Sequence, residues 1–334
     1  MPFLSGSDIR RTRHGSDGLK LLVIAGVHGD EFEPMLAVRR LWDEFQRLPL
    51  RGEVTLIPIV NQPAFHRGQR TADDERDLAR TMPGRIDGTV TEQIAAALAP
   101  LIREADLLID LHTGGRVFEI LPLAGYVLHP DRRVLDQQRR MARAFNLPII
   151  WGTCPQLEGR TLSVARDANV PAIYVEACGG PTFQPHAVSD CVTGCLNVAA
   201  EFGLIPPRET LSRIEHYVED ARDSSGHMQI LHPAPASGWF EATVALGDSV
   251  VIGQILGRVR SPCGDVLGEI HATERGLVLF QRAIPSLRQG DSIAGILPIH
   301  DWSLPHSRLF FDAPEAAAGR ENNTLWSQGG RNRH

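Results

Sequence analysis

Continuous apolar runs alternate with amphipathic stretches along the first two thirds of the chain. Leu21–Ala25 is apolar at every position, which predicts a strand covered on both faces, as in a parallel or mixed sheet. Val54–Val60, Asp106–His112 and Ala172–Glu176 predict further strands, with shorter candidates at Tyr126–Leu128 and Ile149–Ile150. Between them lie helical stretches at Pro34–Phe45, Thr91–Glu104, Arg132–Phe145 and Val188–Phe202. In the second of these, Ile94, Leu98, Leu101 and Ile102 share one face. Such alternation predicts an α/β layered domain over residues 1–206. The polar, Arg/Asp-rich loop from Asn61 to Thr89 is long enough to carry function.

The texture changes after Pro206-Pro207. Residues 207–225 are expected to link two parts of the chain, with a helix over Thr210–Ala221. From Gly226 onward, short β-like runs are separated by Gly, Pro and Asp: Gly238–Val244, Gly247–Leu256, Gly264–Ile270 and Gly276–Phe280. This spacing predicts a small all-β barrel or sandwich over 226–300. Residues 301–334, rich in Asn, Gly, Ala and Arg, are expected to form a poorly ordered tail.

Composition narrows the class. With 334 residues, 43% hydrophobic and 22% charged, the chain can bury a core without metal or disulfide and is too apolar for wholesale disorder. A formal net charge of −6 gives no reason to expect nucleic acid or an anionic membrane as partner. Lys20 is the only lysine, so nearly all fixed positive charge is guanidinium. Cys154, Cys178, Cys191, Cys195 and Cys263 form no CxxC pair and are expected to be reduced thiols of a cytoplasmic protein. The N-terminus lacks a basic and then apolar region, so no signal peptide is expected. Leu21–Val27 is far short of the roughly 20 residues that span a bilayer. Association into a homo-oligomer stays open.

Candidate chemistry concentrates at predicted strand ends. Gly26-Val-His28-Gly-Asp-Glu31 places an imidazole and a carboxylate at a strand-to-helix turn, where both can face one cation. His112 closes the strand in Asp110-Leu-His112-Thr-Gly-Gly, and ligands of parallel sheets gather at the carboxyl ends of strands. Two histidines and one carboxylate leave a fourth zinc position for water, the open arrangement of a catalytic site. Asp110 shares the strand face of His112 and can hold a liganding imidazole. Glu176 ends another strand and can serve as base. Arg70 and Arg80, on the polar loop, can polarise a carbonyl and grip a substrate carboxylate. Cys178 competes as nucleophile or ligand, but no histidine stands at a spacing that would activate it. Two further His/Glu pairs, His216/Glu219 and His271/Glu274, read as solvated surface groups.

Taken together, these blocks resemble the succinylglutamate desuccinylase/aspartoacylase family, a branch of the zinc-carboxypeptidase superfamily. The resemblance spans roughly residues 18–300. It rests on Gly-Val-His28-Gly-Asp-Glu31, Asn61-Gln-Pro-Ala-Phe with Arg70, Asp77-Leu-Ala-Arg80 with Met-Pro-Gly, Asp110-Leu-His112-Thr-Gly, and Val175-Glu176-Ala-Cys-Gly. It implies a carboxypeptidase-like α/β/α domain with a mixed sheet, followed by a small barrel-sandwich-like β domain. It further implies one zinc ion held by His28, Glu31 and His112, Glu176 as the catalytic carboxylate, Arg70 on the carbonyl, and Arg80 with Asn61 toward the substrate. The family usually has Asn-Arg where this chain has Ala79-Arg80. That loss of an amide points away from N-acetylaspartate and succinylglutamate themselves. A bacterial subgroup with N-acetyl-diaminobutyrate deacetylases is also similar. The tyrosine that aspartoacylases contribute from their C-terminal domain has no obvious match, since the tyrosines here are Tyr126, Tyr174 and Tyr217. The β segment resembles biotinyl/lipoyl modules but lacks the lysine a carrier needs, so it is expected to narrow the cleft.

The expected activity is deacylation of a small N-acyl amino acid or N-acyl amine by zinc-activated water with Glu176 as base. Two alternatives stand beside it: a carboxypeptidase acting on short peptides, and a metal-bearing binding protein without catalysis.

Overall fold

The apolar run of Leu21–Ala25 becomes the buried centre of an eight-stranded mixed sheet. A computed structural model describes residues 4, 8–14, 18–228 and 231–299; the tail expected at 301–334 lies outside them. In chain order the first part comprises β1 (Arg10–His14), β2 (Lys20–Ala25), α1 (Phe32–Arg47), β3 (Gly52–Ile57), α2 (Gln62–Arg67), α3 (Val90–Glu104), β4 (Leu107–His112), β5 (Phe118–Ile120), β6 (Leu123–Val127), α4 (Arg132–Phe145), β7 (Ile149–Thr153), α5 (Thr161–Asp167), β8 (Ala172–Glu176), α6 (Pro185–Glu201) and β9 (His216–Glu219). The strands order as β1-β3-β2-β4-β8-β6-β7-β9. Strands β3, β2, β4 and β8 run parallel, β6 is antiparallel to β8, and β1 is antiparallel to β3.

Alternation along the strands assigns the two faces. Leu21, Val23 and Ala25 pack with α1, α4 and α6, whereas Leu22 and Ile24 pack with α3 and α5. Both faces are therefore covered, which is why β2 carries no polar residue after Lys20. Helix α3 begins with a capping box in which Thr89 and Glu92 satisfy each other's backbone N–H groups. Among the described residues no helix is long and apolar enough to cross a membrane.

One expected element differs. The helix expected over Thr210–Ala221 is absent, and His216–Glu219 is instead β9, parallel to β7 at the sheet edge. Its alternating half-buried and exposed positions suit a strand covered on one face only. The Tyr217 hydroxyl meets that of Tyr126 at 2.8 Å, and Glu219 accepts two bonds from Arg139. These contacts reward the extended form over a helix. The long loop also holds more order than expected: α2, capped by Asn61, and a short 3-10 turn at Leu78–Arg80.

The C-terminal runs form β10 (Gly238–Ala242), β11 (Ser249–Val250), β12 (Ile255–Arg260), β13 (Val266–His271), β14 (Gly276–Arg282), β15 (Ser286–Leu287) and β16 (Ala294–Pro298). They make two antiparallel sheets, β13-β12-β10-β15 and β11-β14-β16. The second sheet gains β5 from the first part of the chain, with Ile120 opposite Phe280. Residues 1–300 cluster as one unit.

His232 ties this β part together. Its buried ring donates from Nδ1 to the Ala294 carbonyl at 2.8 Å and accepts at Nε2 from the Thr273 N–H at 3.3 Å. Burial lowers its pKa from the ordinary value. Because the folded state disfavours the imidazolium, this stabilisation is present above the unfolded value of about 6.5 and is lost as pH falls below it. Thermal melts from pH 8 to pH 5 are expected to show a smaller acid-induced drop in Tm for His232→Gln than for the unaltered protein.

Candidate metal and active site

Three strand ends converge on one point. After β2 the chain turns at Gly26, whose φ of 68° lies in the left-handed region, and enters the loop bearing His28 and Glu31. Glu31 is the residue before α1 and is 1% exposed. The loop rests directly on α2: a Cβ at Gly29 would lie 2.0 Å from the Ala64 carbonyl carbon. His112 closes β4, and the register sets it beside Glu176 at the end of β8. Asp110 pairs likewise with Tyr174. Period-two alternation thus aims Asp110, His112, Tyr174 and Glu176 at the same side of the sheet.

The ligating atoms of His28, Glu31 and His112 lie within 4.8 Å of one another. Glu31 bridges the two rings, with Oε1 2.6 Å from His28 Nδ1 and Oε2 2.9 Å from His112 Nδ1. Each ring meets a second carboxylate at its far nitrogen. His28 Nε2 contacts Asp77 Oδ1 at 3.1 Å, and His112 Nε2 lies 3.1 Å from Asp110 Oδ1, an ionic contact outside hydrogen-bond alignment. Thr161 donates its hydroxyl to the other Asp110 oxygen. Outer carboxylates that orient imidazoles inward are the usual support of metal-binding histidines. Two nitrogens and one oxygen converging from buried side chains fit zinc.

Charge follows from the same geometry. Burial opposes ionisation of Glu31, but the two imidazoles outweigh it and hold its carboxyl below the usual range. Asp77 is likewise held low, by His28 and Arg70 against burial. His112 rises well above its ordinary value because Asp110 and Glu31 outweigh burial. Glu176 moves the other way. Burial, with Glu31 and Asp110 adding, prevails over His112 and Arg70 and raises it to about 8. Its Oε2 is buried without a hydrogen-bond partner.

Arginines line the cleft beside these groups. Arg70 grips Asp77 through Nε at 3.2 Å and Nη2 at 2.9 Å, while Nη1 lies 4.0 Å from Glu31. Arg80 and Arg160 also line it. Burial and the neighbouring Arg160 lower Arg80 to about 10. Asn61 departs from the expectation of a substrate contact. It is fully buried, its amide spends itself on the Val27 carbonyl and the Ala64 N–H, and it is not among the lining residues. It braces the His28 loop instead.

Other residues of the site escape the sequence reading. Asp77 stands in the quoted motif, yet nothing in its spacing reveals that it meets His28. Arg160 and Tyr174 carry no motif, although Tyr174 sits two residues before Glu176 and so shares its face. Cys178 does meet a histidine, His186 Nε2 at 3.2 Å, but burial, Asp190 and Glu33 push its thiol up to about 12. A protonated thiol is a poor nucleophile.

The succinylglutamate desuccinylase/aspartoacylase catalytic domain matches residues 17–202. This chain belongs to the succinylglutamate desuccinylase/aspartoacylase family. Within that family, N-alpha-acetyl-L-2,4-diaminobutyric acid deacetylase of Halomonas elongata is 32% identical over 85% of this chain and 83% of its own. A succinylglutamate desuccinylase from Silicibacter sp. TM1040 superposes with a TM-score of 0.77 at 27% identity, covering 86% of this chain and 87% of its own. The product-bound ectoine utilization protein EutE (DoeB) from Ruegeria pomeroyi gives 0.76 at 27% identity, with the same coverage of 86% and 87%.

Two substitutions probe the centre through its supports. Asp77→Asn is expected to weaken binding of added zinc at the His28, Glu31 and His112 cluster about 10–100-fold in chelator competition. Gly29→Ala is expected to displace the His28 loop from α2 and lower both Tm and zinc stoichiometry. Unchanged values for either variant would refute the support assigned to it.

Proposed function

We propose that this protein is a zinc-dependent amidohydrolase that removes the acyl group from a small N-acyl amino acid or N-acyl amine. The observation that carries the reading is the buried, unpartnered Glu176 oxygen set beside His112 in an arginine-lined cleft. Homologues named as a deacetylase and a desuccinylase support the reaction class. The eight-stranded sheet through β9, with its helices, acts as the hydrolase part, and the C-terminal strands form a β part that walls the cleft.

His28, Glu31 and His112 would hold the ion. When bound, zinc supplies Lewis acidity and brings the pKa of its water to about 7. Glu176 takes the proton of the attacking water and returns it to the nitrogen of the leaving amine as the amide C–N bond breaks. Arg70, fixed in orientation by Asp77, donates toward the carbonyl oxygen as negative charge builds there. Arg80 and Arg160 bind the carboxylate of the substrate. Asp77 and Asp110 keep the imidazoles oriented.

Glu176→Gln is nearly isosteric and removes the base without touching a ligand. It is expected to retain one zinc per chain by elemental analysis while kcat falls about 10²–10⁴-fold. Full turnover in that variant would eliminate Glu176 as base. Parallel assays on N-acetyl amino acids and dipeptides separate deacylase from carboxypeptidase, with faster hydrolysis expected for the former substrates.

A further inference from the structure

The lining of the cleft divides into a cationic end and an apolar wall. At the cationic end Arg80 and Arg160 are close enough to repel each other, and an anion placed there relieves that repulsion. Tyr174 adds a buried hydroxyl without a hydrogen-bond partner. These three donors suit one carboxylate.

The wall is made by β5 and β14. Alternation along β5 turns Phe118 and Ile120 to the cleft while Glu119 is exposed. Phe280 packs edge-on against Phe118, ring centroids 5.4 Å apart and planes at 87°. Leu162 and Met228 extend the apolar surface.

Carboxylates line the cleft too, but each is committed. Among the described residues they are Glu31, Asp110 and Glu176. Glu31 serves two imidazoles, Asp110 serves Thr161 and His112, and Glu176 is the base of the proposed reaction. An ammonium on the substrate side chain would enter a space holding Arg70, Arg80 and Arg160, where the described residues offer no uncommitted carboxylate to receive it. Burying such a charge unpaired is strongly unfavourable.

We infer that the substrates are N-acyl amino acids with a single carboxylate and an uncharged, apolar side chain or acyl group, and that analogues with a cationic side chain are rejected. The inference rests on the deacylase reading and specifies its substrate class. Wall and cationic end together set the preference, by attraction for one class and an unpaired charge against the other.

The test uses the zinc-loaded full-length protein with N-acetyl-L-leucine, N-acetyl-L-phenylalanine, N-hexanoylglycine and N-acetyl-L-2,4-diaminobutyrate. The apolar compounds are expected to exceed the diaminobutyrate derivative in kcat/KM by on the order of 100-fold. N-hexanoylglycine against N-acetyl-L-leucine tells whether acyl group or side chain meets the wall. The same compounds are titrated calorimetrically into zinc-loaded Glu176→Gln, where binding is read without turnover. Equal or tighter binding and turnover of the diaminobutyrate derivative would overturn the inference. Absence of turnover across the whole panel would instead remove the deacylase reading, and the ranking of Kd would still judge the preference. In Phe118→Glu, a carboxylate on the wall is expected to narrow the ratio at least tenfold with zinc content unchanged. An unaltered ratio in that folded variant would refute the wall, and the unmodified protein's ranking decides alone should the variant not fold.

Discussion

The structure turns on one carboxylate placed between two imidazoles. Glu31 is almost wholly removed from water, and its charge is sustained by His28 at 2.6 Å and His112 at 2.9 Å. A buried anion held only by neutral rings would be costly. Around it stand Asp77, Asp110 and Glu176, against Arg70 as the near fixed cation. Two imidazoles and one carboxylate, backed by Asp77 and Asp110, form a donor set of the kind that can hold a divalent cation.

The fold makes that convergence inexpensive to maintain. Parallel neighbours β2, β4 and β8 end at the same edge, so residues far apart in sequence arrive together without long reaching side chains. The sheet is locked on both faces by separate apolar clusters. Rigid strand ends hold ligands more precisely than free loops. Even the loop that carries His28 and Glu31 is pinned by the close approach of α2 and by the buried amide of Asn61.

Much of this is legible in the sequence because period and continuity of apolar residues are strong signals. The runs at Leu21–Ala25 and Ala172–Glu176 could hardly be anything but central strands, and α4 occupies Arg132–Phe145 as expected. His28, Glu31 and His112 stand out because glycine-rich turns follow strands there. What escapes are features decided by distant partners. β9 is a strand because β7 offers an edge, a fact no local pattern holds. The role of Asp77 depends on His28, 49 residues away, and that of Asn61 depends on its burial. Short β5, three residues long, carries too little pattern to be read alone.

The pairing of β5 with β14 couples two tasks that lie far apart along the chain. The His28, Glu31 and His112 cluster belongs wholly to the large sheet and its loops, whereas the cleft wall of Phe118, Ile120 and Phe280 is shared with the C-terminal strands. Backbone pairing thus joins β14 to Phe118 through contacts that involve neither Glu31 nor its imidazoles. The cleft wall can therefore be altered from the C-terminal strands without replacing any member of the His28, Glu31 and His112 cluster.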